Sequence, residues 1–253
     1  MFAITCKNLS YTYADGTQAL TALTFTINPQ ERVALIGANG SGKSTLQCHL
    51  NGLIPVQRGE IWIGSQPVLP PYFQSIRTQV GLVFQNPDDQ LFLTTVWDDI
   101  AFGPKNLGIK DPLLTQRVNQ ALWAVNLEPQ RYGHRHPDRL SGGEKKRAAI
   151  AGVLAMQPDI LVLDEPSAQL DPGTRRELIQ LLQTLPLTQL IATHDLDLAL
   201  ELCDRTLVLS QGHLVYDGPT YPLMLDPAFL HAHRLESPLS FQRAYCNLGD
   251  RPL

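Results

Sequence analysis

An α/β fold is predicted for this chain, and three observations predict it. Short apolar runs rich in valine, isoleucine and leucine alternate with helical patterns along the 253 residues. One run, Val33-Ala34-Leu35-Ile36, leads into GANGSGKST at residues 37–45, in the order strand, glycine loop, helix. Another, residues 160–163, ends in Asp164-Glu165-Pro166, two carboxylates at the carboxyl edge of a buried strand.

Taken in order, strands are expected at residues 2–7, 23–27, 32–36, 60–63, 80–84, 160–163, 189–192 and 206–209, where apolar and β-branched residues cluster. A helix is expected over residues 43–50, leaving the glycine loop. Asp111-Pro112, Asp171-Pro172 and Asp226-Pro227 each read as a helix start, with aspartate capping and proline at the first helical position. Residues 96–155 read as mostly helical, interrupted at residues 133–141, and therefore as a helical subdomain inserted between core strands. Gln211-Gly212-His213 reads as a tight turn between two late strands. After Asp226 a short helix and an irregular tail are expected.

The length suits about one or two domains. A 43 % hydrophobic share supports a sizeable core, and a formal charge of −4 supplies no general basic field, so nucleic acid is not expected as a partner. No run approaches the roughly 20 apolar residues that cross a bilayer, and the first residues lack the pattern of a secretory signal. Cys6, Cys48, Cys203 and Cys246 are scattered without C-x-x-C spacing, which suits reduced thiols better than disulfides or zinc. The expectation is a soluble intracellular chain whose membrane role, if any, comes through a partner.

The glycine loop fits the phosphate-cradle pattern G-x-x-x-x-G-K-[ST]. Gly37, Gly40 and Gly42 allow backbone N–H groups to converge on phosphate oxygens, with Ala38, Asn39 and Ser41 between them. The helix that follows offers its positive end to the same anion. In that cradle Lys43 neutralises the outer phosphates, and the Ser44 hydroxyl is a ligand for Mg²⁺, with Thr45 next to it. Asp164 is a second Mg²⁺ ligand, through water, and Glu165 orients or deprotonates the attacking water. Standing alone, Asp-Glu-Pro could simply end a strand at a solvated turn; beside a phosphate cradle it reads as chemistry.

With these residues in place, the chain resembles the ATP-binding cassette (ABC) ATPases over about residues 1–220. Leu140-Ser141-Gly142-Gly143-Glu144 matches the family's signature motif, Gln85 its Q-loop glutamine, Ser167 to Asp171 its D-loop, and His194 its switch histidine. Tyr13 stands where the family stacks an aromatic on adenine, although Tyr11 and Tyr13 alternate along an expected strand and either could pack against the sheet. The resemblance implies a P-loop NTPase core with a mixed sheet, an antiparallel β subdomain and an inserted helical signature subdomain. It implies a nucleotide-binding domain over residues 1–225, the helical subdomain at about 86–157, and a short helix and tail at 226–253. ATP and Mg²⁺ are the implied cofactors; Gln85, Glu165 and His194 the implied catalytic residues, with Gln85 also touching Mg²⁺. Ser141, Gly142, Gly143 and Glu144 are implied to meet the phosphate of another subunit, with Asp171 at the dimer contact. A serine N-cap with glycine punctuation is the ordinary alternative for that corner. Two residues depart from the pattern: Glu144 stands where glutamine is usual, and Gln169 where glycine is commoner.

A narrower resemblance follows from residues 84–92 and 100–108 and from LSGGEKKR at residues 140–147, which look like the ATPases of energy-coupling factor importers, most like the cobalt and nickel branch. It implies a second ATPase subunit (a copy or a close relative), a transmembrane coupling subunit, a membrane substrate-binding subunit, and a place on the cytoplasmic face of the membrane. The acidic pair Asp88-Asp89 then lies in a groove for a coupling helix; a solvated turn is the alternative. Another micronutrient or vitamin importer, and a soluble assembly-type ABC ATPase, stay open as functions. His134-Arg135-His136 and His231-Ala232-His233 read as solvated pairs rather than metal sites, because neither has a further ligand cluster in the sequence.

Overall fold

The computed structural model describes residues 1–241, arranged around two sheets. β1 (Ile4–Thr12) and β2 (Gln18–Ile27) form an antiparallel hairpin. β3 (Arg32–Ile36) opens the second sheet and runs into α1 (Lys43–Leu50). β4 (Arg58–Ile63) returns to pair with β1, and β5 (Gln66–Pro67) closes a four-stranded sheet in the order β2-β1-β4-β5. α2 (Phe73–Gln79) leads to β6 (Val80–Val83). Next comes the helical insertion: α3 (Val96–Asn106), α4 (Leu113–Ala124), α5 (Pro129–Tyr132) and α6 (Gly142–Leu154). β7 (Ile160–Asp164), α7 (Pro172–Thr184), β8 (Thr188–Ala192), α8 (Leu196–Leu202), β9 (Arg205–Ser210) and β10 (His213–Pro219) complete the core, followed by α9 (Thr220–Met224) and α10 (Pro227–Ala232).

The second sheet has the order β10-β9-β3-β8-β7-β6, all parallel except the β9–β10 hairpin. Its five parallel strands are buried on both faces, which is why most of them read as continuous apolar runs, whereas the edge strand β10 is largely exposed to half-buried. Period-two alternation divides them: Val33 and Leu35 join Val162, Leu190 and Leu207 under the antiparallel sheet and α1, whereas Ala34 and Ile36 join Leu161, Leu163 and Val208 under the helical insertion. This order sets β8 between β3 and β7, so the loops leaving the carboxyl ends of those three strands are neighbours.

Several boundaries differ from the sequence reading. The first strand lies later, at Ile4–Thr12, and Phe2 is exposed outside it. Asn8 takes φ +50° and the pairing shifts between Cys6 and Leu9, so both bury and the two-residue alternation that marks a strand is broken. Tyr13 is past the end of that strand; its amide donates to Thr17 O in the hairpin turn. β6 stops at Val83 because the Phe84 N–H goes to the Gln90 side chain rather than the ladder. Asp171 and Asp226 cap α7 and α10 as expected, but α4 starts at Leu113 with Pro112 as its cap residue, and Asp111 instead accepts from the Thr115 amide and hydroxyl. Gln211 and Gly212 both take positive φ in the β9–β10 turn. The expected tail falls partly outside the described residues, as does Cys246. No helix among the described residues is long and apolar enough to cross a membrane.

Candidate active site

The loop between β3 and α1 is shaped by glycine where nothing else fits. Gly42 holds φ +106° as the cap of α1, and a Cβ there would stand 2.6 Å from Ala19 O. A Cβ on Gly37 would collide with Leu209 O. Lys43 is buried, and its ammonium donates to Gly37 O at 2.7 Å and Ala38 O at 3.2 Å. Burial draws Lys43 below its ordinary pKa, while the charges of Glu165 and Asp164 push the other way. A cationic group and a helix N-terminus thus share one loop, an arrangement suited to an anion.

The two carboxylates of β7 lie across from it. Asp164 Oδ2 accepts from Ser44 Oγ at 3.1 Å. Burial raises the Asp164 carboxyl above its usual range, Glu165 adds to the rise, and Ser44, Lys43 and Lys146 oppose it. A carboxylate in that environment gains from an added cation. The donors available are a hydroxyl, a carboxylate and the Gln85 amide, which lines the same cleft; this oxygen set fits Mg²⁺. Glu165 is buried and takes φ +46°, an uncommon conformation for a side-chain-bearing residue, fixed by its N–H donating to Ala192 O at 2.9 Å. Its Oε2 accepts the His194 amide at 3.2 Å and lies 2.8 Å from His194 Nδ1. The His194 ring is otherwise open to the cleft.

These groups line one cleft of about 1500 Å³ that also takes in Tyr13 and Gly37 through Thr45. Tyr13 hydroxyl and Thr45 Oγ1 are 2.9 Å apart, and the Tyr13 ring meets Tyr11 edge-on, which in turn meets the buried His49. Ser141, Gly142, Gly143 and Glu144 are not among the residues lining the cleft. They form a self-contained helix start: Ser141 Oγ accepts from the Glu144 amide and Glu144 Oε2 from the Ser141 amide, a complete capping box. Glutamate in place of glutamine therefore keeps the reciprocal cap. Although partial burial acts upward, hydrogen bonds from Ser141 and Tyr132 and the charge of Arg135 hold Glu144 below the usual carboxyl range. Asp171 caps α7 through Gly173 and Thr174, and the γ-methyl of Thr174 packs so close to Gly143 that no side chain fits there. Gln169, the second departure, takes φ +63°, the backbone region that glycine enters without strain.

Other features escaped the sequence reading. Lys146 is buried inside α6 and donates to main-chain oxygens of Gln85 and Glu165. Its spacing to Ala149, Ile150 and Val153 on the buried face of that helix was the available signal. Arg175 clasps Asp195 at 2.9 Å beside Ser167, and residues 234–240 line one wall of the cleft, which no local motif announces. A separate apolar groove of about 560 Å³ includes Asp89, Phe92 and Phe102, whose two rings meet edge-on and are both exposed; Asp88 is instead ion-paired with Lys145. His136 Nδ1 accepts from the Asp138 amide at 3.3 Å, and the His233 ring packs on Phe229.

Known proteins share this architecture. The ABC transporter family model matches residues 20–168. A protein of Gloeobacter violaceus named as an ABC transporter ATP-binding protein is 54 % identical, over 94 % of this chain and 97 % of that one. The energy-coupling factor transporter ATP-binding protein EcfA of Carboxydothermus hydrogenoformans is 45 % identical, over 94 % and 88 %. Among solved structures, CbiO1 of Clostridium perfringens, described as part of the ABC transporter complex CbiONQ, superposes with a TM-score of 0.81 at 35 % identity, over 91 % of this chain and 94 % of that one. The ATP-binding cassette MJ0796, solved as a dimer with ADP and phosphate, gives 0.77 at 28 % identity, over 86 % and 98 %. The chain belongs to the ABC transporter family and is an ABC ATPase.

Proposed function

We propose, with membership of the ABC transporter family as the premise, that this ATPase powers a membrane importer of the energy-coupling factor type, with cobalt or nickel ions as cargo. The observation that carries the reading is the cleft itself. Lys43, Asp164, Glu165 and His194 converge there, while the Ser141 corner faces elsewhere. Each pocket is then completed by the serine–glycine–glycine corner of a second subunit, a copy or a relative. Gly37 to Thr45 cradle the phosphates of ATP, and Tyr13 takes the base. Ser44, Asp164 and Gln85 would hold Mg²⁺, which when bound would neutralise charge on the transferring phosphoryl group. Glu165 orients or deprotonates the attacking water; His194, joined to Glu165 Oε2, keeps that carboxylate aimed. Asp171 stands at the subunit contact.

The apolar groove beside Asp89 and Phe92 suits a helix of a transmembrane coupling subunit, which would seat the chain on the cytoplasmic face of the membrane, next to a membrane substrate-binding subunit. The cargo assignment rests on the likeness of residues 84–92, 100–108 and 140–147 to the cobalt and nickel branch.

Glu165→Gln is expected to bind ATP, accumulate as a dimer and lose turnover by ~10²–10⁴-fold. Unchanged turnover, or a variant that stays monomeric at saturating Mg-ATP, removes the mechanism. Copurification with a multi-span membrane subunit that takes up labelled cobalt or nickel tests the transport reading. A soluble complex in its place overturns it.

A further inference from the structure

The signature helix α6 is pinned by three consecutive basic residues. Lys145 pairs with Asp88 at 2.6 Å, Arg147 with Glu177 at 2.9 Å, and Lys146 between them turns inward. Lys146 is only 4 % exposed. Its ammonium donates to Gln85 O at 2.6 Å and Glu165 O at 3.1 Å. Both acceptors are main-chain oxygens of residues assigned above to water and metal positioning, from two different strands' ends.

A buried lysine is a costly way to join two carbonyls, since desolvation disfavours its charge. Burial draws Lys146 below its ordinary pKa, and the Glu165 and Asp164 carboxylates oppose that shift only in part. What the arrangement achieves is visible at Glu165. With φ +46°, its backbone sits in a sparsely populated region for a residue with a side chain, and both ends of the residue are held. The Glu165 N–H is held by Ala192 O and its C=O by Lys146.

We propose that Lys146 is a positioning residue for hydrolysis: it locks the Glu165 backbone and the Gln85 loop to the helix that begins at Ser141, so that movement of that corner is felt at the water-positioning carboxylate. The proposal rests on the catalytic reading of Glu165 and Gln85 given above. It adds a mechanical link between the part of the chain that serves a neighbouring subunit and the part that serves its own nucleotide.

The test compares Lys146→Met, which keeps the buried stem without a donor, with Lys146→Gln, which keeps a donor without charge, in the full-length chain. Turnover is counted per nucleotide site, titrated with a fluorescent ATP analogue, so unfolded protein does not enter the rate. Lys146→Met is expected to lower kcat about tenfold or more with KM for ATP within about twofold, and Lys146→Gln to recover at least about threefold of that loss. A kcat within about twofold of the parent for Lys146→Met overturns the proposal, as does an equal loss in both variants. Should Lys146→Met yield no titratable sites, Lys146→Ala, which also lacks the donor, takes its place under the same criteria: a kcat about tenfold or more below the parent at unchanged KM and below that of Lys146→Gln supports the link, and a kcat within about twofold of the parent removes it. Glu165→Gln, assayed in parallel, separates the two readings. An active Glu165→Gln sinks the catalytic assignment itself. An inactive one beside a full-rate Lys146→Met sinks only the link.

Discussion

Two helix starts in this molecule have the same ingredients, serine, glycine and a free N-terminal dipole, yet they are built for different surroundings. At α1 the corner is turned inward: Ser41 and Lys43 are buried, and the Asp164 and Glu165 carboxylates stand opposite. At α6 Ser141 and Gly142 are exposed, and the helix satisfies itself through the Ser141–Glu144 box. The first corner has its chemistry supplied by its own chain. The second has only its shape and its dipole, and finds no counter-group in the cleft. The difference teaches that one corner faces charged partners of its own chain and the other does not, which is the asymmetry the proposed neighbour-completed enzyme requires.

The comparison breaks most sharply at Ser141. Ser141→Arg, a bulky change at the exposed corner, is expected to lower turnover by ~10²-fold or more while leaving ATP affinity of the isolated chain unchanged. Full turnover in a steady-state assay would show that the corner serves no nucleotide at all. A smaller effect separates architecture from chemistry at the same place. Glu144→Ala removes half of the capping box and is expected to cost ~0.5–2 kcal/mol of stability, read from chemical denaturation. Glu144→Gln, which can still accept the Ser141 amide, is expected to lose less. Equal losses would locate the effect in charge rather than in the cap.

The smallest expected effect sharpens the inward corner. Asp164 has a folded-state pKa above its unfolded value, chiefly through burial, so the ionised carboxylate opposes folding when no cation is bound. That penalty is complete above the raised pKa and fades as pH falls toward the ordinary carboxyl value of about 3.9. In chelator, Asp164→Asn is therefore expected to melt above the parent at neutral pH, with the gap closing as the solution is acidified. A gap that widens on acidification would mean the carboxylate is stabilised by Lys43 and Lys146 rather than strained by burial.

Much of this was legible in the chain of letters. The strand before Gly37, the helix after it and the apolar run before Asp164 are local patterns, each set by burial on both faces of a sheet or by the backbone needs of a glycine loop. The first strand was misplaced because backbone shifts at Asn8 and beyond break the alternation that reveals strands. Lys146 was passed over because a lysine is ordinarily solvated, and its partners are 61 and 19 residues away in sequence.

The sequence by itself determined which short segments carry the glycine loop, the paired carboxylates and the helix caps, because those depend on neighbours within a turn or a strand. Only the tertiary structure decided that β8 lies between β3 and β7, and hence that His194 meets Glu165 and that Lys146 reaches both Gln85 and Glu165. The physical reason is that such meetings are selected by how sheet and helices bury their apolar faces together, a condition spread over the whole core rather than written at any one residue.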